Sequence, residues 1–380
     1  MWYNVVVRLT AKVKLLTTSE QHAALLATLE RANEACNYIS DVAWDTQTFK
    51  QFSLHKLVYY EVRERFRLTA QMVVRCEGKV ADAYKLDRKT KRTFRPHGAI
   101  SYDDRILKWK PDKFSVSIWT LQGRQEMLYC TGERQLGWLK FQHGESDLVY
   151  SGGEFYLLAT CEVPEPPPED VEGYLGVDMG VVELATDSQG ASYSGEAVKR
   201  VRRKHRRLRK SLQKRGTKPA KRKLKKLSGR ERRFATDTNH CVAKAIVKTA
   251  KHNRLGIAVE KLTGIRGRVR VNKAARDGLH SWAFHQLGEF LRYKARLAGL
   301  PLVEVDPRNT SRSCSRCGHC EKANRKTQAE FLCQACGYAA NADFNAAVNI
   351  AARADIKRPI ASGDGRGMGH VSSQVQAPAL

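Results

Sequence analysis

Two short cysteine motifs constrain this chain more tightly than anything else in it. They read Cys314-Ser-Arg-Cys317-Gly318 and Cys333-Gln-Ala-Cys336-Gly337, with fifteen residues between the pairs. A C-x2-C turn aims two thiolates at one point, and the glycine that follows lets the backbone fold back beneath them. Two such turns at this separation predict a zinc ribbon, with one Zn held by Cys314, Cys317, Cys333 and Cys336. Four protein ligands close the coordination shell, so that metal is structural and does no chemistry. Cys320 offers a rival pair with Cys317, but Gly318 would then lose its counterpart in Gly337, so Cys320 and His319 are read as bystanders. The remaining cysteines of the ten (Cys36, Cys76, Cys130, Cys161, Cys241) are scattered. That usage suits a reducing compartment with one metal site and not a secreted disulfide framework.

The second constraint is charge. The 380 residues carry 67 Lys and Arg against 39 Asp and Glu, a formal net charge of +28. Twenty of those basic residues lie between Lys199 and Arg233, where Glu231 is the single acid, so one 35-residue stretch holds +19. Val201, Leu208 and Leu212, then Leu224 and Leu227 beyond a break at Gly216–Pro219, fall at helical spacing. The pattern predicts a helical hairpin with a thin apolar seam and a dense cationic face. Such a face repels itself, and a phosphate backbone laid along it relieves the repulsion and releases counterions. Arg202, Arg203, Lys204, Arg206, Arg207, Lys221, Arg222 and Lys225 are the candidate nucleic-acid contacts. No apolar run approaches the ~18 residues a membrane span needs, and the N-terminus alternates with charges, so neither a membrane partner nor a signal peptide is expected.

Texture divides the chain. Residues 1–15 read as a first β-strand, and 16–93 as helices entered through a Thr17-x-x-Glu20 capping box and broken around Asp45–Ser53. From 94 to 163 the pattern is β-like, with strands expected at Phe114–Leu121, Glu126–Cys130, Gly137–Phe141 and Phe155–Val163. Together these predict a small β-barrel with a helical insert after its first strand. Residues 164–170 hold four of the eleven prolines and read as an extended linker. An α/β pattern occupies 171–305, the ribbon 306–340, and a last helix 341–358. Residues 359–380 are polar, Gly-rich and expected to be disordered.

Three carboxylates are oddly placed for mere solubility. Asp178 ends the apolar strand Gly176-Val-Asp178, Glu260 ends Ile257-Ala-Val-Glu260, and Asp343 sits in the first turn of the last helix. Strand, strand and helix in the order Asp, Glu, Asp on an α/β sheet match the RNase H-like nuclease plan, in which such groups converge and hold two divalent ions. Phosphodiester hydrolysis needs one metal to activate water and another to stabilise the leaving oxygen, and hard Mg²⁺ prefers oxygen ligands. Asp343 could instead cap its helix, and Glu260 could be an ordinary strand-end charge. Glu183, Asp187, Glu304 and Asp306 are rivals without the same context.

At these residues a resemblance becomes specific. Gly176-Val-Asp178-Met-Gly180, Ala258-Val-Glu260-Lys-Leu262 and Asp306-Pro-Arg-Asn-Thr310-Ser311 lead into the first knuckle. Asn324-Arg325-Lys326, Phe331-Leu-Cys333-Gln-Ala-Cys336-Gly337-Tyr338 and Asn341-Ala-Asp343-Phe-Asn345-Ala-Ala347-Val-Asn349-Ile350 follow. The chain resembles the TnpB family, transposon-encoded RNA-guided DNA endonucleases related to type V CRISPR effectors. The likeness is strong over about 172–352, and Asn33-Glu-Ala-Cys36-Asn37 and Gly78-Lys-Val80-Ala-Asp-Ala-Tyr84-Lys85 extend it weakly. It implies a multidomain α/β protein: an N-terminal wedge barrel with a helical recognition insert, then a RuvC-like nuclease with an inserted zinc ribbon that binds nucleic acid. It also implies a guide RNA derived from the transposon end, double-stranded target DNA chosen beside a short flanking motif, and a bacterial or archaeal cytoplasmic setting. Asp178, Glu260 and Asp343 match the family's catalytic triad, with two Mg ions. Lys261, where an acid often follows the Glu, and the extra Cys320 depart from the pattern without removing a ligand. The alternatives are a nuclease-silent RNA-guided regulator, against which the three retained carboxylates argue, and a transposase.

Overall fold

The computed structural model describes residues 6–180, 182–261, 284–327 and 329–356. The expected disordered tail and residues 357–358 of the expected last helix lie outside the described residues. The chain divides into two compact units, Met1–Glu165 and Pro166–Leu380.

In the first unit, strand β1 (Val6–Leu16) is followed by helices α1 (Ser19–Asp45), α2 (Gln51–Phe66) and α3 (Ala70–Leu86). Strands β2 (Ile100–Tyr102), β3 (Leu107–Lys110), β4 (Ser115–Thr120) and β5 (Gly123–Cys130), helix α4 (Glu133–Leu139), and strands β6 (Gln142–Ser151) and β7 (Glu154–Pro164) complete it. The seven strands form one antiparallel sheet in the order β2-β6-β7-β1-β5-β4-β3. Its two ends approach each other: the Trp109 indole donates to Ser146 Oγ at 3.2 Å, and the Tyr102 hydroxyl to the Trp119 carbonyl at 3.3 Å. The sheet therefore curls towards a barrel. Alternation puts Ala11, Val13 and Leu15 of β1 in the same core as Leu25, Leu29 and Ile39 of α1. Asn33 and Asn37 tether the segment after α3, Asn33 through the Pro96 and Gly98 carbonyls and Asn37 through both backbone groups of Phe94.

Two local expectations are corrected. The capping box is Thr18…Gln21, one residue later than expected, with reciprocal bonds of 3.2 and 3.1 Å. Residues Gly137–Phe141 are not a strand: Glu133–Leu139 is helical, with Leu139 its buried residue. An apolar run this short fits either period, and tertiary packing chose the helix.

The second unit begins with β8 (Gly173–Asp178), β9 (Glu183–Asp187) and β10 (Ser192–Ser194). Helices α5 (Glu196–Arg215), α6 (Lys218–Leu227) and α7 (Arg230–His252) lead to β11 (Leu255–Glu260). Helix α8 (Phe284–Leu297), β12 (Leu302–Val305), β13 (Glu330–Leu332), β14 (Ala339–Asn341) and α9 (Ala342–Ile356) follow. Five strands lie in the order β10-β9-β8-β11-β12, and β8, β11 and β12 run parallel. On one face Val177, Ile257 and Val259 pack with Val242 and Ile246 of α7 and Leu287 and Leu291 of α8. On the other, Ala258 and Val305 pack with Ile350 and Ala354 of α9. Gly176 permits that second contact, since a Cβ there would meet the Ala347 carbonyl oxygen at 2.0 Å. The result is a helix–sheet–helix sandwich with α9 pressed close against β8.

Candidate active site and metal centre

Strand register brings the first two carboxylates together. Val259 pairs with Val177, so Glu260 and Asp178 leave neighbouring parallel strands one residue later, side by side. Side chains alternate along a strand, so Asp178 shares the face of Gly176, and Glu260 that of Ala258. This is the face that α9 covers, and Asp343 stands in the first turn of α9. Asp343 does not cap the helix: Asn341 Oδ1 accepts from the Asp343 and Phe344 amides at 2.9 and 3.1 Å. The Asp343 carboxylate is left to face the centre, where the helix N-terminus favours negative charge.

The electrostatics bind the three into one site. Burial, then the nearby Glu260 and Asp343 carboxylates, push Asp178 up to about 7, with Arg325 opposing. Burial also raises Glu260, against Thr310, Arg353 and Arg325, and it raises Asp343 against Arg325. Arg325 Nη2 lies 3.3 Å from Asp343 Oδ1. Neighbouring carboxylates resist ionising together and carboxylate oxygens are the donors a hard divalent cation prefers, but these three do not all converge to within 4.8 Å as the cysteines do. Three of the rival acids have partners of their own, although the Asp306 charge also raises Glu260. Asp187 accepts the Gln189 and Ala191 amides in a turn, Glu304 pairs with Arg292, and Asp306 accepts the Arg308 amide.

The cysteine motifs form a tighter centre. Among the described residues, Cys314, Cys317, Cys333 and Cys336 are the group of ligand type whose atoms all lie within 4.8 Å of one another. Cys314 Sγ is 3.7 Å from Cys336 Sγ, and Cys317 Sγ is 3.5 Å from Cys333 Sγ. The two knuckles repeat each other. The Gly318 amide donates to the Cys314 carbonyl and the Gly337 amide to that of Cys333, at 2.9 and 3.1 Å. Both glycines have positive φ, 78° and 69°, the conformation that a Cβ disfavours. Four converging soft thiol donors fit Zn. Cys320 is exposed and outside the group.

The basic stretch forms α5 and α6, with Gly216 closing α5 in the left-handed conformation. Its charges are sorted by the fold. Arg202 and Arg209 both clamp Glu231 of α7, at 3.0 and 3.1 Å. Arg200, Arg203, Lys204, Arg207, Leu208 and Ser211 line a groove of about 660 Å³ on another face of the helix. Lys221, Arg222 and Lys225 of α6 are exposed, as is Arg206.

Sequence reasoning did not assign Arg325 or Thr310, which meet the carboxylates from the segment between β12 and α9. Their only signal was membership in the motifs flanking the cysteines. No helix among the described residues is long and apolar enough to cross a membrane.

Residues 159–266 match the family model OrfB_IS605, described as a probable transposase, and residues 284–350 match the Cas12f1-like TNB domain. The chain is 33% identical over 236 residues to the CRISPR-associated endodeoxyribonuclease Cas12f1 of Sulfoacidibacillus thermotolerans, covering 56% of this chain and 54% of that one. It is 28% identical over 246 residues to the putative RNA-guided DNA endonuclease InsQ of Escherichia coli K12, covering 57% and 60%. A TnpB-like protein of Methanocaldococcus jannaschii is 34% identical over 157 residues, 40% of this chain and 56% of that one. The chain thus spans about half the length of the curated relatives it matches. In fold it is similar to Cas12f1 from a complex with guide RNA and target DNA, with a TM-score of 0.59 at 15% identity over 88% of this chain and 83% of that one. It is also similar to the mini RNA-guided endonuclease Cas_phi3, with a TM-score of 0.52 at 10% identity over 94% of each chain. Over these two segments the chain is similar to the OrfB_IS605 and Cas12f1-like TNB models, and its relatives carry TnpB-like and Cas12f names.

Proposed function

We propose that this protein is an RNA-guided endonuclease that cuts double-stranded DNA at a site built from Asp178, Glu260 and Asp343. One observation carries the reading: two carboxylates end adjacent parallel strands, and the third meets them from the helix that covers the same face. The elevation of Asp178 to about 7 by burial and by its two neighbours supports a centre made for cations. These three residues would hold two Mg²⁺ ions, which when bound activate water and stabilise the leaving oxygen. The three side chains are half-buried, and Arg325 offsets part of the carboxylate charge.

The polyanion partners are a guide RNA from the transposon end and the target DNA, recognised chiefly by base pairing, with a short flanking motif read by protein. The names of the relatives support this assignment. So does the groove on α5, where Arg200, Arg203, Lys204 and Arg207 present charge to a phosphate backbone without reading sequence. Arg202 is better assigned to holding Glu231. The ribbon adds exposed Arg312, Arg316, Lys322 and Lys326, in keeping with a nucleic-acid-binding insert held together by Zn. The wedge and recognition roles of the first unit rest on the family resemblance.

The test is cleavage by purified protein carrying its co-purified RNA, sequenced to identify the guide, with matching DNA and Mg²⁺. Asp178→Ala should lower the cutting rate on the order of 10³-fold or more and leave RNA binding nearly intact. Cleavage at the parent rate in that variant would overturn the site. Binding without scission by the parent would make the protein a regulator, and strand joining would make it a transposase.

A further inference from the structure

The three carboxylates are not held alike. Asp343 faces an arginine, whereas Glu260 accepts a hydrogen bond from a neutral hydroxyl, that of Thr310. Thr310 is 3% exposed and fifty residues from Glu260 in the chain. Its hydroxyl also lies 3.1 Å from the Pro307 carbonyl oxygen. One proton cannot serve two acceptors fully, and the charged carboxylate is the stronger of the two.

The loop carrying Thr310 is tied down at several points. Asn309 takes a left-handed conformation with φ 58°, and its carbonyl accepts the Arg312 and Ser313 amides at 3.0 and 2.9 Å. From α9, Asn349 Nδ2 donates to the Thr310 and Ser313 carbonyls at 2.9 and 2.8 Å. One turn further, Arg353 Nη1 donates to the Asp306 and Arg308 carbonyls, both at 2.7 Å. The helix that bears Asp343 thus also holds the hydroxyl that meets Glu260. A donor so fixed takes one lone pair of Glu260 Oε1 and sets the plane of the carboxylate, leaving its remaining lone pairs for a cation.

We infer that Thr310 is a positioning residue: its hydroxyl orients Glu260 for the divalent ion and couples that centre to the loop leading into the zinc ribbon. The inference rests on the reading that Asp178, Glu260 and Asp343 bind such an ion. Outer partners that orient metal ligands are commonly worth 10- to 100-fold in affinity.

The experiment is Mn²⁺ titration of the full chain, followed by calorimetry and by electron paramagnetic resonance, with zinc content measured on the same samples. Thr310→Val, which keeps the shape and removes the hydroxyl, should weaken Mn²⁺ binding roughly 10- to 100-fold while retaining one Zn per chain. Thr310→Ser should restore the parent affinity. Thr310→Ala replaces the Val variant if that one fails to retain Zn. Parent-like Mn²⁺ affinity in either hydroxyl-free variant overturns the inference, as does a Ser variant as weak as Val. If Asp178→Ala leaves Mn²⁺ binding of the parent unchanged, the carboxylate centre itself falls, and this inference with it.

Discussion

The thiolate centre and the carboxylate centre belong to the same unit and are built in opposite ways. Each pair of cysteines is set by its own five-residue turn, with Gly318 and Gly337 at positive φ and matching amide-to-carbonyl bonds. The carboxylates come from two strands and a helix, and nothing local aims them. They meet because Val259 pairs with Val177, because Gly176 lets α9 approach, and because Asn341 rather than Asp343 caps that helix. A local centre can be recognised from spacing, whereas an assembled one depends on the packing of distant segments.

Breaking the local centre should have the largest effect, and a confined one. The double change Cys314→Ser and Cys336→Ser should abolish Zn binding, measured by elemental analysis, because metal affinity of about 10–16 kcal/mol is folding free energy for such motifs. Amide exchange should then rise across 313–341 while β8 and β11 stay protected. Zinc retained at one per chain would mean that other ligands hold it.

The assembled centre should reveal itself through pH. A carboxyl raised in the folded state binds protons there that the unfolded chain has already released. Its stabilising contribution is therefore full below about 4, the unfolded value, and is lost as pH rises through about 7. In chelator-treated protein, Asp178→Asn should remove this loss, so that the variant gains on the parent in melting temperature between pH 4 and 7. The gain corresponds to a few kcal/mol, at about 1.4 kcal/mol per pKa unit. Parallel melting curves for both proteins over that range would show that Asp178 is not held among like charges.

The smallest effect is expected on α5, where the charge run supplies a third kind of region, legible as composition but sorted only by folding. Changing Arg203, Lys204 or Arg207 to Gln should each reduce the salt slope of RNA binding by about 0.7–0.9. Arg202→Gln should leave that slope unchanged and cost about 1 kcal/mol or less in stability through loss of its bond to Glu231. Equal slopes for all four variants would erase the distinction between groove and clamp.

Much of the site was legible because its signals are local. Asp178 and Glu260 stand at the ends of apolar strands, and the cysteine knuckles repeat with their glycines. Other parts were hidden for a common reason. Thr310 reaches Glu260 through a turn fastened by Asn349 and Arg353, and no periodicity records such a contact. Arg325 reads as one more basic residue until it is seen against Asp343. Residues Gly137–Phe141 carry an apolar pattern that serves helix or strand, and the surrounding sheet decided between them.

By itself, the amino-acid sequence determined which four thiols converge, the concentration of positive charge in one helical hairpin, and the strand and helix that bear each carboxylate. These follow from spacing, composition and short-range periodicity, which act within a few residues. Tertiary structure alone decided that the carboxylates share a half-buried site, which arginines of the hairpin line a groove and which clamp Glu231, and that a threonine fifty residues away holds Glu260. Those outcomes depend on burial and on pairing between distant segments, and both exist only once the chain has folded.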